Sequence, residues 1–100
     1  MIPPQKVFDG KTGTGASSGA HFGKVLNAVI AQLNLTYGST PSITITLEGS
    51  EDNTNWVSLH SDTFTTGSPK ELTTTKPYQW YRLNVTANVN VSITAYIGAS

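Results

Sequence analysis

The chain has 100 residues, which is the size of a single compact domain. Six basic residues balance six acidic ones and charged residues make up only 12% of the chain, so no cationic field exists that would favour nucleic acid as a partner. The chain has no cysteine and no apolar run of bilayer-spanning length, which excludes a disulfide framework and argues against a membrane segment.

Residues 1–20 are predicted to form an extended N-terminal arm ahead of a domain at residues 21–100. Pro3 and Pro4 disfavour regular pairing, and glycines follow among threonines and serines. Within the arm, residues 12–19 resemble the glycine-rich turn of short-chain dehydrogenases. A polar stretch precedes them and His21 stands where the last glycine belongs, so a loop is the preferred interpretation and no dinucleotide cofactor is predicted.

Residues 24–37 carry apolar positions that suit either a helical face or a strand. The clean alternation that ends at Tyr37 favours the strand. Residues 38–41 then read as a short turn, and we expect the strand that follows to pair with the one before it.

Residues 41–59 predict a β-hairpin. Ile43, Ile45 and Leu47 alternate with polar residues, which is typical of a half-buried antiparallel strand. A polar turn rich in Asp and Asn follows, and the extended pattern resumes at Trp56.

Further strands are predicted at residues 64–66, 71–75, 78–87 and 90–97 from the same alternation. Six or seven short strands separated by turn signals indicate an all-β fold, a small antiparallel β-sandwich that is either Ig-like or jelly-roll-like. Its inward side chains are numerous enough to fold the domain without a cofactor or a disulfide.

The sequence offers no convincing chemical site, and we predict no catalytic, cofactor-binding or metal-binding residue. Glu48, Glu51 and Asp52 leave calcium open, although a solvated turn is the preferred interpretation. His21 and His60 are the only histidines, and without a third ligand at a suitable spacing we expect them on the surface or at a sheet edge. The chain is therefore not predicted to be an enzyme.

Aromatic residues are the one group that suits a binding surface. Trp56 and Tyr81 are predicted to be core residues. Trp80 has the opposite parity to Tyr81, so we expect Trp80 to face outward. An exposed tryptophan more often belongs to an interface than to a surface without a binding role.

The chain resembles small virion proteins of tailed bacteriophages. The resemblance is carried by residues 44–56, TITLEGSEDNTNW, by residues 81–86, YRLNVT, and by residues 91–97, VSITAYI. It implies a β-sandwich that decorates or cements the head shell of a virion assembled in the bacterial cytoplasm, with the major capsid protein as partner. A tail or fibre component is the alternative within this family.

Partner contacts are predicted in the arm and at the outward aromatics, namely at Ile2, Pro3, Pro4, Val7, Phe8, Trp80 and Tyr96. We also expect the protein to form homo-oligomers, and capsid geometry favours a trimer. A carbohydrate-binding module that uses Trp56, Trp80 and Tyr96 is the competing interpretation.

Overall fold

The computed structural model describes residues 2–22 and 28–99, and every regular element in them is a β-strand. These residues include no helix, and hence none that is long and apolar enough to cross a membrane. The seven strands are β1 (Ile2–Thr12), β2 (Gly15–Ala16), β3 (Ala20–His21), β4 (Val29–Ser50), β5 (Val57–Phe64), β6 (Lys70–Thr74) and β7 (Trp80–Ala99).

All seven strands belong to one antiparallel sheet, in which β4 and β7 are the central pair. β5 and β6 pair with β4, while β1, β2 and β3 pair with β7. The predicted all-β antiparallel class is therefore confirmed. A division into two sandwich layers stays a prediction, because hydrogen bonds join all the strands into a single sheet.

β4 and β7 are too long to be straight in a molecule of this size. The 20 residues of β7 would extend to about 66 Å at about 3.3 Å per residue, whereas the longest dimension of the molecule is 40 Å. The pairing register breaks where residues 38–41 of β4 lie opposite Asn90 of β7. Thr40 and Asn90 have positive φ angles of 46° and 55°, so the two strands bend together at a wide bulge.

This bulge replaces the turn that the sequence predicts at residues 38–41. The predicted pairing between the strands on either side of it is wrong, because Tyr37 pairs with Val91 and Ser42 pairs with Val89, both on β7. Gly, Ser and Thr suit a bulge as well as a tight turn. The local sequence therefore indicates a break in the ladder without identifying the strand that lies alongside.

The hairpin predicted at residues 41–59 is confirmed. β4 and β5 pair from Ile43 opposite Phe64 to Gly49 opposite Val57. The strand predicted at residues 24–37 is present from Val29 onward, while residues 24–27 lie outside the described residues.

One hydrophobic core takes side chains from both sides of the bend. Odd-numbered residues of β4 and β7 are buried on each side of the bend. Leu33 and Ile93 lie on one side, and Ile45 and Leu83 lie on the other. All four are 0% exposed. Each such side chain stabilises the fold by about 1.5–3 kcal/mol, so the two halves of the sheet depend on the same core.

The N-terminal segment is part of the sheet, which corrects the prediction of an arm that lacks regular pairing. β1 pairs with β7 from Ile2 opposite Ala99 to Thr12 opposite Ser92, with three register shifts. Proline lacks an N–H donor, but an edge strand has one side of its backbone free and tolerates it. β3 continues this edge past residue 20, where the sequence places the start of the domain.

Tyr81 fastens the beginning of β7 to the segment before it. Its side chain is fully buried, as predicted, and its hydroxyl donates to the carbonyl of Lys76 at 2.7 Å. The same hydroxyl accepts from the N–H of Tyr78 at 2.8 Å. Burial raises the pKa of Tyr81 above its ordinary value of 10.0, so the hydroxyl keeps the proton that it donates.

Candidate functional site

Four planar side chains gather on the surface where β7 begins, and we call them the tryptophan cluster: His21, Trp56, Trp80 and Arg82. Alternation along β7 places Trp80 and Arg82 on the face opposite the buried Tyr81. β3 brings His21 opposite Trp80, and the loop between β4 and β5 brings Trp56. Trp56 is half-buried rather than part of the core, which corrects its predicted place.

The groups of the tryptophan cluster are stacked in pairs. The ring centroids of His21 and Trp80 are 4.4 Å apart at an interplanar angle of 25°. The guanidinium carbon of Arg82 lies 4.3 Å from the centre of the Trp56 ring, which is a cation–π contact. Arg82 also donates from Nε to Oε1 of Glu48 at 2.6 Å. This ion pair is partly exposed and contributes at most about 1 kcal/mol, so its main effect is to orient the guanidinium group.

Gly19 lies between the two indole rings. A Cβ atom added there would be 3.1 Å from the Trp80 ring and 3.3 Å from the Trp56 ring, and it would collide with Oδ1 of Asn53. The chain can therefore cross the cluster at this point only because the residue has no side chain. Both tryptophans are covered in part by the protein's own N-terminal segment.

Asp52 organises the loop that carries Trp56. Its Oδ1 accepts from the N–H groups of Thr54 at 2.9 Å and Asn55 at 2.8 Å, and from Oγ of Ser50 at 2.9 Å. Its Oδ2 accepts from Nδ2 of Asn55 at 2.7 Å. These bonds, those from Asn55 and Thr54 above all, hold the pKa of Asp52 well below its ordinary value of 3.8. The loop is thus built around a carboxylate that is charged at neutral pH and accepts from its own turn.

The acidic residues that leave calcium open in the sequence lie in this loop and in the strand before it: Glu51 and Asp52 are in the loop, and Glu48 is in β4. The oxygens of Asp52 accept hydrogen bonds from the turn, and Glu48 accepts from Arg82. Within residues 2–22 and 28–99, no group of three or more His, Asp or Glu side chains is placed to hold a metal ion. A solvated turn remains the preferred interpretation.

The predicted partner contacts on β1 do not share one environment. Pro4 is exposed, whereas Val7 is half-buried and packs against the core. Phe8 corrects the prediction, because its side chain is only 6% exposed and belongs to the core. Its partner across the ladder is Ala95, which is also a core residue. Ile2 and Pro3 lie in β1, and their side chains are outside the described part of the structure.

Tyr96 lies near the far end of β7 from Trp80. It is half-buried and pairs with Lys6 of β1, whose Nζ is 5.7 Å from the centre of the tyrosine ring. The structure therefore separates Tyr96 from the tryptophan cluster along the strand. It does not assemble Trp56, Trp80 and Tyr96 into a single surface.

His60, which is predicted on the surface or at a sheet edge, lies in β5 next to β6. Its Nδ1 lies 3.1 Å from the N–H nitrogen and 3.2 Å from the carbonyl oxygen of Thr73. The ring thus connects β5 with β6, two strands that both pair with β4. Nδ1 accepts from the Thr73 N–H or donates to the Thr73 carbonyl, depending on the tautomer of the ring.

An open cavity of about 610 Å³ lies at the bend. Asn88 and Asn90 line it, and both amides bond to backbone carbonyls around it. Nδ2 of Asn90 donates to Ser39 in the bulge, while Nδ2 of Asn88 donates to Val91 beside the bulge and to Gly13 between β1 and β2. Their side-chain amides donate hydrogen bonds to backbone carbonyls where the β-ladder is interrupted.

The glycine-rich residues 12–19 do not have the surroundings of a dinucleotide site. Gly15 and Ala16 pair with Val85 and Asn84 of β7. The next described element is the strand β3 rather than a helix, whereas pyrophosphate binding requires the N-terminus of a helix at this point.

Comparisons of the chain with protein-family models, with curated proteins and with solved structures give no significant match. The fold and surface define an all-β domain with a cluster of stacked aromatic and cationic groups. The resemblance to phage virion proteins stays a prediction.

Proposed function

We propose that this chain is a structural virion protein that decorates or cements the head shell of a tailed bacteriophage. It binds the major capsid protein and neighbouring copies of itself. The observation that carries the proposal is the resemblance of residues 44–56, 81–86 and 91–97 to small virion proteins. These stretches lie in β4 with its loop and in β7, the central pair of the sheet, so they form one connected structural unit.

Two separate surface patches support a bridging role. The tryptophan cluster lies where β7 begins, and Trp80 is the first residue of that strand. Tyr96 and Lys6 lie near the last residues of β7. Trp, Tyr and Arg are the side chains that most often dominate the free energy of protein association. A small domain with such patches at two places can contact two neighbouring subunits of a shell at once.

Stoichiometry in purified particles tests the proposal directly. Quantitative mass spectrometry of the phage that encodes this chain should find it in a copy number comparable to that of the major capsid protein. A copy number that is a small fraction of that value supports the tail or fibre alternative. Absence of the chain from the particles would refute both.

Surface variants test which patch makes the contact. Trp80→Ala and Tyr96→Ala should each weaken binding to shells that lack the protein, by about thirtyfold if the residue contributes about 2 kcal/mol. Thr63→Ala, an exposed change on β5, is the matched control and should bind normally. Equal occupancy for all three variants would count against these patches.

The association of copies is a separate measurement. We propose a trimer at threefold positions of the shell, which capsid symmetry favours. Mass photometry of the free protein, or a density map of the shell with single copies, would contradict this if only monomers appear.

Carbohydrate binding is a second candidate function, favoured by one observation. Two indole rings lie on either side of Gly19 at the surface, and flat aromatic faces with adjacent polar groups suit a sugar ring. A glycan array with the intact protein tests it, with Trp80→Ala and Trp56→Ala as loss-of-binding variants. No signal on the array, or signals unchanged in both variants, would exclude this candidate.

A further inference from the structure

The N-terminal edge segment, residues 2–22, is attached to the rest of the sheet through a single strand. It contains β1, β2 and β3, and in the described part of the chain each of these pairs with β7 alone. Of the nineteen buried hydrophobic residues of the described core, two belong to this segment, Phe8 and Ala20. Release of the segment would therefore leave the β4–β7 pair and the other seventeen core residues in place.

The pairing of this segment is interrupted at many points. β1 has three register shifts along its length. Gly10 and Gly13 have positive φ angles of 66° and 83°, which interrupt the extended conformation at a register shift within β1 and between β1 and β2. The segment is thus held in short pieces, and no long continuous ladder opposes its release.

Hydrogen bonds of three side chains add to the backbone pairing between β7 and this segment. Oγ1 of Thr94 accepts from the N–H of Gly10 at 3.0 Å, and Nδ2 of Asn88 donates to the carbonyl of Gly13 at 3.0 Å. Oγ of Ser17 accepts from the N–H of Leu83 at 3.1 Å. The first two bonds join side chains of β7 to the backbone of the segment, and the third uses the side chain of Ser17. Together with the positive φ angles of Gly10 and Gly13, they match β7 to the backbone path of this segment rather than to a regular β-strand.

Without the segment, β7 would present a long unpaired edge. Such an edge pairs readily with another chain, and another copy of the same sequence supplies all three bonds together with the backbone path that aligns them. We propose that the N-terminal edge segment exchanges between copies, so that residues 2–22 of one copy occupy β7 of a second. Exchange of an identical element is a route to association that requires no new type of contact. The inference goes beyond the virion role and does not depend on it.

Single cysteines can test the exchange cleanly, because the chain has none of its own. Ser17 and Leu83 are joined by hydrogen bonds, so Ala16 and Asn84 form the adjacent non-hydrogen-bonded pair. Cα atoms in such a pair are about 4.5 Å apart, which a disulfide can span. A chain with Ala16→Cys and a chain with Asn84→Cys are mixed, unfolded, refolded together at high concentration and oxidised mildly.

Exchange predicts a mixed disulfide between the two variants, seen by mass spectrometry at about twice the chain mass of 10.7 kDa. A mixture of Ala16→Cys with Thr63→Cys, on the far strand β5, is the control for random oxidation. The double variant Ala16→Cys with Asn84→Cys, oxidised at high dilution, should close within one chain and thereby shows that the pair has suitable geometry.

The inference is overturned if the double variant closes within one chain while the mixture gives no more mixed disulfide than the Thr63→Cys control. Lys6 and Tyr96 are partners near the other end of the segment. A mixture of Lys6→Cys with Tyr96→Cys should give the same result. Dimers that form without the mixed disulfide would also overturn it, because they would use a different surface. None of these outcomes depends on particles, so they are independent of the test of the virion role.

Discussion

The Tyr81→Phe variant tests how much one buried hydroxyl contributes to the fold. It removes the oxygen that accepts from the Tyr78 N–H and the proton that is donated to the Lys76 carbonyl, while it keeps the ring. A buried backbone group left without a partner costs about 1–3 kcal/mol. Both bonds are only partly shielded from water, so we expect a loss of about 1–2 kcal/mol in the free energy of unfolding.

Urea unfolding at neutral pH, followed by tryptophan fluorescence, measures this loss. The midpoint should fall while the slope m stays the same, because the surface exposed on unfolding does not change. For a domain of this size each kcal/mol also lowers Tm by about 4–8 °C. Tyr96→Phe is the matched control on the same strand, because the described residues give its hydroxyl no hydrogen bond, and it should stay within about 0.5 kcal/mol of the parent.

Equal stability of Tyr81→Phe and Tyr96→Phe would refute this reasoning. The pH dependence provides an independent check. Because burial raises the folded-state pKa of Tyr81 above 10.0, the stability that the neutral side chain contributes is complete below that pH and is lost as the pH rises through the folded-state pKa. The difference between the parent and Tyr81→Phe should therefore shrink in alkaline solution.

Three further predictions concern the loop, the sheet edge and the tryptophan cluster. Asp52 has a lowered pKa, so its contribution to stability is present above the ordinary pKa of 3.8 and is lost as the pH falls toward the folded-state value. Asp52→Asn should therefore make Tm depend less on pH in acid solution. An unchanged dependence would contradict this. His60→Ala should speed hydrogen exchange at the Thr73 amide, which it contacts, without altering amides in β1. Gly19→Ala should lower the free energy of unfolding and change tryptophan emission. Adding Asn53→Ala should recover only part of the lost stability, because the two indole rings remain within contact range of the new Cβ atom. Full recovery would show that the rings do not confine this position.

Local alternation predicted the inward faces of the sheet correctly. Side chains alternate with a period of two, so Ile43, Ile45 and Leu47 show their buried face in the sequence. The same rule placed Trp80 opposite in parity to Tyr81, and their burial agrees. These features depend only on neighbouring residues, which is why the sequence contains them.

Features that depend on distant partners could not be predicted in this way. Residues 38–41 indicate a break, but whether the chain reverses or bends is decided by β7, about fifty residues later in the sequence. Phe8 is predicted as a partner contact because Pro3, Pro4 and the glycines indicate an arm outside the sheet, whereas its burial depends on the pairing of β1 with β7. Likewise, the contact of Arg82 with Trp56 and that of His21 with Trp80 join residues that lie far apart along the chain.

The pairing of β1 with β7 has a mechanical consequence. Ile2 lies directly opposite Ala99, so the two ends of the described chain are neighbours across one antiparallel ladder. A pulling force applied between them would load the hydrogen bonds one pair at a time and unzip β1 from β7, instead of shearing many bonds together. A force applied along the length of β4 and β7 would meet the whole central ladder at once. The same molecule should therefore yield easily to tension at its ends and resist tension along its central strands.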